Sequence, residues 1–106
     1  MADIDEAREA EFERRLRDIV LSAASDMACE IFLFGSRAQK RTRRSSDFDI
    51  GIRGLSEREF RILKERVEEA IEGSTIPHEV DVVDFDRALE PFRSVAQRER
   101  VMWKSV

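Results

Sequence analysis

Apolar residues recur at helical spacing in two segments of the chain. Over residues 4–24 they stand among charged residues on one side of a helical wheel, which predicts an amphipathic first helix. In the second segment, Ser56 and Glu59 have the spacing of a capping box, an apolar stripe follows, and Gly73 supplies a stop signal. We therefore expect a well-delimited second helix there. The two stripes consist of Phe12, Leu16, Ile19, Val20 and Ala23, and of Phe60, Leu63, Val67 and Ile71.

Two shorter segments have the patterns of β-strands. Residues 31–34 form a continuous apolar run that ends at Gly35, which predicts a strand buried on both faces. Residues 47–53 alternate strictly between polar and apolar side chains, so the second strand should have one apolar face. That face consists of Phe48, Ile50 and Ile52.

The remaining segments complete the predicted order of elements. Ser36 can cap a short helix over residues 37–39, and the polar residues 40–46 are predicted to form an exposed loop. Residues 79–84 are predicted to form a third strand, and residues 86–103 a last helix that breaks or restarts at its proline. This order predicts an α/β or α+β fold, with a small mixed sheet and helices packed mainly on one side.

Length and composition limit the classes of function. With 106 residues, the chain is expected to form a single domain, residues 1–106, with no room for a second domain that grips substrates. Charged residues make up 40% of it and apolar residues 42%, a balance that indicates a globular rather than a disordered protein. The net charge of −4 argues against bulk attraction to nucleic acid. The single cysteine, Cys29, is predicted to be structural, in a reducing compartment. No signal peptide or membrane span is evident, so a cytoplasmic location is expected.

Basic charge is concentrated in residues 37–44, which contain Arg37, Lys40, Arg41, Arg43 and Arg44. A solvated loop, attraction of a triphosphate and docking to an acidic partner all fit this segment. RNA binding is the least favoured interpretation, because no aromatic residues for base stacking are interleaved with the charges.

Carboxylates on two predicted strands should converge. Strand alternation places Asp47 and Asp49 on the face opposite Phe48, and in the third strand the flanking valines leave Asp81 on that same face. Crowded like charges are costly without a counter-ion, and a divalent cation with oxygen ligands relieves them. These three aspartates are therefore predicted to bind magnesium and to carry catalysis; Asp84 and Asp86 are rivals for the third position.

A glycine and a serine lie where the first strand ends. Gly35 lets the backbone approach a ligand closely, and the free amide groups of a helix start after Ser36 favour anions. Arg37, one residue on, is a further candidate for contact with a nucleotide. A phosphate site beside a carboxylate cluster indicates an enzyme that binds a metal-bound triphosphate and catalyses displacement at phosphorus.

Three motifs together resemble those of the minimal nucleotidyltransferases, in the DNA polymerase β-like superfamily: Gly35-Ser36-Arg37-Ala38, Ser46-Asp47-Phe48-Asp49-Ile50 and Val80-Asp81-Val82-Val83-Asp84. The resemblance implies the nucleotidyltransferase fold, with magnesium, as two ions, on Asp47, Asp49 and Asp81. It implies that Gly35 and Ser36 hold the terminal phosphates of ATP or another nucleoside triphosphate. The chain departs from relatives at Lys40, where glycine is common.

The resemblance also implies a partner. Family members of this size pair with a helical HEPN protein, in toxin–antitoxin pairs and hetero-oligomers, and adenylylate a hydroxyl group on it. The alternative is a catalytically silent antitoxin that masks the HEPN toxin by covering it. The two alternatives make different predictions: an adenylylating antitoxin needs the aspartates to protect cells from the toxin, whereas a masking antitoxin does not.

Overall fold

The computed structural model describes residues 6–35, 48–77, 79–88 and 100–105. In these ranges, two helices and four strands follow one another in chain order. They are α1 (Glu6–Ala23), β1 (Glu30–Phe34), β2 (Phe48–Arg53), α2 (Glu57–Glu72), β3 (Val80–Asp84) and β4 (Val101–Lys104).

The four strands form one mixed sheet in the order β3-β2-β1-β4. β1 lies at its centre and pairs antiparallel with β2 and with β4, whereas β2 and β3 run parallel. Parallel neighbours need a long crossover connection, and α2 supplies it. The predicted α+β class with a small mixed sheet is confirmed.

The main hydrophobic core lies between the helices and one face of the sheet. Alternate residues of the central strands, such as Leu33 and Ile50, point toward the helices, and both are at most 1% exposed. Leu16 of α1 and Leu63 of α2 belong to the same cluster and are fully buried. Both helices therefore pack on one face, as the sequence predicted.

A smaller aromatic cluster occupies the opposite face. The Phe85 ring lies 4.8 Å from that of Phe32 and 5.1 Å from that of Phe34, in edge-to-face geometry. Gly51, in the neighbouring strand, leaves the space that the Phe32 ring fills: a methyl group at residue 51 would lie 2.5 Å from Cζ of Phe32. None of the described helices packs on this face.

Helix α2 begins and ends where its signals predicted. The Ser56 hydroxyl accepts a hydrogen bond from the Glu59 amide at 3.1 Å, and the Glu59 carboxylate accepts one from the Ser56 amide at 3.0 Å. This bond from the backbone lowers the pKa of Glu59. At the end of the helix, the Gly73 amide donates to the Glu69 carbonyl and the Ser74 amide donates to the Ile71 carbonyl.

The prediction of a helix over residues 86–103 is wrong at its C-terminal end, where Val101–Lys104 is strand β4. Tertiary contacts explain the difference. Trp103 is 6% exposed in the main core, and Lys104 Nζ donates to the carbonyls of Ala24 and Met27 at 2.8 and 2.7 Å. These bonds tie β4 to the end of α1. At the other end of that segment, residues 85–88 form a turn and a bend.

Cys29 and the lengths of the helices were also subjects of the predictions. Cys29 is fully buried, and burial raises the pKa of its thiol, in agreement with a structural role. None of the helices in the described ranges is long and apolar enough to cross a membrane. The predicted short helix over residues 37–39 and the loop over 40–46 lie outside the described residues, as does the basic segment.

The space at Gly51 leads to a test of the fold. We expect Gly51→Ala to lower the free energy of unfolding by about 1–3 kcal/mol, because its methyl group overlaps the Phe32 ring in a packed cluster. Gly73→Ala is the matched control: φ is −87° there, and a methyl group would have no neighbour closer than 3.8 Å. It should leave stability unchanged or raise it by up to about 1 kcal/mol. Equal losses in urea unfolding of the two variants would contradict this account.

Candidate active site

Two of the predicted site residues lie side by side on adjacent strands. Asp49 of β2 pairs with Asp81 of β3 in the parallel ladder, which places their Cα atoms about 4.8 Å apart. Paired residues point to the same face of a sheet, here the face away from both helices. Asp49 is half-buried and Asp81 is exposed. The structure thus brings together the two carboxylates that strand alternation placed on one face.

Gly35 closes the site on the side of β1. Phe34 pairs with Asp49, so Gly35 follows at the point where β1 leaves the sheet beside that aspartate. Its φ of +79° is in the left-handed region that favours glycine. A methyl group at residue 35 would overlap Oδ2 of Asp49 and lie 3.2 Å from its Cγ. The absence of a side chain therefore lets the backbone of Gly35 approach the carboxylate of Asp49. Its predicted contact with phosphates stays a prediction.

The other predicted site residues, Ser36, Arg37 and Asp47, lie outside the described residues, and so does Lys40. Asp47 directly precedes Phe48, the first residue of β2. Its predicted role as a third carboxylate ligand stays a prediction.

The two rivals for the third aspartate have structural partners instead. Asp84 pairs with Ile52, whose side chain is in the main core, and its carboxylate accepts a hydrogen bond from Arg87 at 2.6 Å. Asp86 accepts a hydrogen bond from the Gly54 amide at 2.7 Å, which holds the turn after β2. Both observations favour Asp81.

The chemistry of the paired carboxylates fits a hard divalent cation. Like charges directly across a strand pair are destabilising, and a cation between them removes the repulsion. Magnesium needs only one or two protein carboxylates, since water and phosphate oxygens complete its coordination. The described residues contain no group of three or more potential metal ligands, but Asp49 and Asp81 already supply that smaller set.

Arg100, a charged residue on this face, was not among the predicted site residues. Arg100 directly precedes β4, and its guanidinium carbon lies 5.2 Å from the centroid of the Phe32 ring. It fell within the helix predicted over residues 86–103, where no strand alternation could assign it to a face. A strand prediction for residues 101–104 would have placed it beside Phe34.

Comparison with known families agrees with this geometry. Residues 11–104 match the family described as Polymerase beta, Nucleotidyltransferase. The chain belongs to this nucleotidyltransferase family. The match includes all six described helices and strands except the first five residues of α1.

Individual relatives agree with this family assignment. The curated "Probable protein adenylyltransferase MntA" of Haemophilus influenzae is 29% identical over 72 residues. That match covers 68% of this chain and 62% of the relative, so the chain spans less than two thirds of the relative's length. A solved structure described as a minimal nucleotidyltransferase superposes with a TM-score of 0.67 at 25% identity, over 95% of this chain and 98% of the other. The resemblance to minimal nucleotidyltransferases is thereby confirmed.

Two further solved structures share the fold at lower identity. One is a toxin–antitoxin with AMP-PNP, at a TM-score of 0.63 and 21% identity. The other is a mutant of the toxin–antitoxin MntA-HpeT, at a TM-score of 0.62 and 19% identity. Each match covers 85% of this chain and 73% of the other chain.

The close approach of Gly35 to Asp49 in this chain can be tested by measuring the stability of variants. Gly35→Ala and Gly54→Ala should each cost about 1–2 kcal/mol, because φ is positive at both positions. Only Gly35→Ala also displaces a carboxylate, since a methyl group at residue 54 would have no neighbour closer than 3.5 Å. We expect it to be the more destabilising variant in urea unfolding.

A double-mutant cycle shows whether the extra loss of stability in Gly35→Ala comes from its contact with Asp49. Asp49→Ala removes the overlapping carboxylate and leaves its Cβ at 3.4 Å, so it should recover the excess loss of Gly35→Ala. The same change should have no such effect on Gly54→Ala. If Asp49→Ala couples equally to both glycine variants, or to neither, the proposed contact is refuted.

Proposed function

We propose that the chain is a magnesium-dependent nucleotidyltransferase that transfers a nucleotidyl group, AMP from ATP, to a hydroxyl group on a HEPN partner protein in the cytoplasm. The observation that carries this proposal is the pairing of Asp49 with Asp81 on adjacent strands, beside the backbone of Gly35. The paired carboxylates offer a site for a cation, and Gly35 lets a ligand approach the backbone beside them.

Asp47, Asp49 and Asp81 are the residues that would hold magnesium, as two ions, in the proposed site. When bound, the metal would neutralise the carboxylates and polarise the phosphate oxygens of the nucleotide. The pairing of Asp49 and Asp81 supports two of these roles. The role of Asp47 rests on its place in the motif, two residues before Asp49.

The proposed reaction is a displacement at the α-phosphorus of the nucleotide. The acceptor hydroxyl oxygen forms a bond to this phosphorus, the bond from the phosphorus to the β-phosphate oxygen breaks, and pyrophosphate leaves. Asp81 is exposed, so its carboxylate can receive the hydroxyl proton where it is not a metal ligand. Gly35 and Ser36 would hold the phosphates through backbone amides, and Arg37 would contact the nucleotide.

The choice of ATP and of a protein acceptor is supported by relatives. One relative carries the name of a protein adenylyltransferase, and a structural neighbour is a toxin–antitoxin with AMP-PNP. A second neighbour pairs MntA with the protein called HpeT. The HEPN identity of the partner in this system rests on the family resemblance.

Label transfer tests the proposed activity. Lysate of the source cell, with magnesium and ATP labelled at the α-phosphate, should yield one labelled protein; label at the γ-phosphate should yield none. Asp49→Asn and Asp81→Asn should each reduce the transfer about 100-fold or more, because the charge stabilisation at the transferred phosphoryl group is lost. Asp18→Asn, an exposed aspartate on α1, is the matched control and should transfer label normally.

Two outcomes would refute the proposed function. Transfer that persists in both Asp49→Asn and Asp81→Asn would remove these carboxylates from the reaction. An absence of α-label with the unaltered chain, in a lysate shown to contain the toxin, would leave masking of the toxin by a silent module as the better account.

A further inference from the structure

Arg100 lies at the end of the sheet where β1 meets the proposed active site. Val101 pairs with Leu33, so Arg100, one residue earlier, lies beside Phe34 and close to Gly35. Its guanidinium carbon is 5.2 Å from the centroid of the Phe32 ring, on the face that carries Asp49. This cation is thus on the same face as the paired carboxylates.

One donor of Arg100 has no partner in the described structure. Its Nη1 atom is buried and makes no hydrogen bond, although the residue as a whole is only half-buried. Other arginines are paired: Arg66 donates to Asp26 and to the Ala23 carbonyl, and Arg87 donates to Asp84. A buried donor without an acceptor is costly, and native proteins have few of them. Its presence at this position calls for an acceptor that none of the described residues supplies.

The positions across the sheet indicate which acceptor would fit. Phe34, Asp49 and Asp81 form a row across β1, β2 and β3. Arg100, one residue before the pair of Val101 with Leu33, extends this row on the side of β4. At the spacing of neighbouring strands, the Cα atoms of Arg100 and Asp49 are about 10 Å apart. The row therefore has a cation at one end and a carboxylate pair at the other, a distribution that suits a ligand bound through a metal on one side and carrying negative charge on the other.

We propose that Arg100 is a substrate-positioning residue whose guanidinium group binds the terminal phosphates of the nucleoside triphosphate. The inference rests on the proposed function, which places the reacting α-phosphorus at the carboxylates. Two groups flank that phosphorus, an uncharged nucleoside and a pyrophosphate unit. A guanidinium group forms its strongest hydrogen bonds with phosphate oxygens, so it selects the pyrophosphate side. There it also stabilises the charge that develops as pyrophosphate leaves.

Equilibrium binding separates this role from a structural one. Dissociation constants for ATP and for AMP, each with magnesium, are measured for the unaltered chain, Arg100→Gln and Arg53→Gln. Arg53 is the matched control: it lies on the same face at the opposite end of β2, where it pairs with Glu30. We expect Arg100→Gln to weaken ATP binding about 10-fold or more, the effect of losing one charge-assisted hydrogen bond. AMP binding should change less than about 2-fold, and Arg53→Gln should change neither constant.

Urea unfolding supplies the second measurement. Because Nη1 has no described partner, Arg100→Gln loses the contact with the Phe32 ring but no hydrogen bond from Nη1, so it should lower the midpoint of unfolding only slightly in the absence of nucleotide. A structural arginine would give a different result, a markedly lower midpoint together with equal losses of ATP and AMP affinity. That result would overturn the inference.

Asp49→Asn distinguishes failure of this inference from failure of the proposed function. If the unaltered chain binds ATP with magnesium, Asp49→Asn weakens that binding and Arg100→Gln does not, the role of Arg100 is wrong and the proposed function stands. If the unaltered chain does not bind ATP with magnesium, both fall together.

Discussion

The pairing of β1 with β2 determines where the chemistry of this protein lies. The two strands pair in register from Glu30–Arg53 to Phe34–Asp49, so their side chains sort into two faces along the whole length. A slip by one residue would turn Asp49 toward the helices and expose Ile50, which is fully buried. The free energy gained by burying aliphatic side chains beneath α1 and α2 therefore fixes the carboxylate on the opposite face. Core packing and site geometry are consequences of one register.

The crossover through α2 completes this arrangement. Asp81 lies beside Asp49 because β3 pairs with β2 in this register, and parallel neighbours of this kind must be joined by a connection that crosses the sheet. The capping box at Ser56 and the stop at Gly73 set where that connection begins and ends. Leu63 and Val67 then anchor it on the core. Local signals in α2, remote from the carboxylates, thus contribute to their alignment.

Most of the fold could be predicted because its signals are local. The alternation in β2 assigned Phe48 and Ile50 to the core face, and the valines around Asp81 assigned that aspartate to the other. Capping residues marked α2 for the same reason: a helix start depends on groups within three or four residues of one another. Where neighbouring residues decide a structure, the sequence pattern predicts it well.

The rest depended on contacts between residues distant along the chain. The strand at Val101–Lys104 is held by the pairing with β1 and by the bonds from Lys104 to the carbonyls of Ala24 and Met27, about which helical spacing carries no information. The same limit hid the position of Arg100. Gly51 did carry an unused signal, because a glycine inside a strand often marks a close approach, here that of the Phe32 ring.

The features that weaken the fold are concentrated around Asp49. A stable sheet would not place a second carboxylate directly across from it, and a non-glycine residue at position 35 would have to adopt a strained backbone and displace it. Arg100, with a buried donor that lacks a described partner, lies on the same face. Elsewhere in the described ranges, as at α2, local preference and packing agree. When several features that lower stability lie at one place, that place is typically a functional site. The proposed metal-bound triphosphate would relieve two of them at once, since its cation would offset the paired carboxylates and its phosphates would supply an acceptor for the guanidinium group.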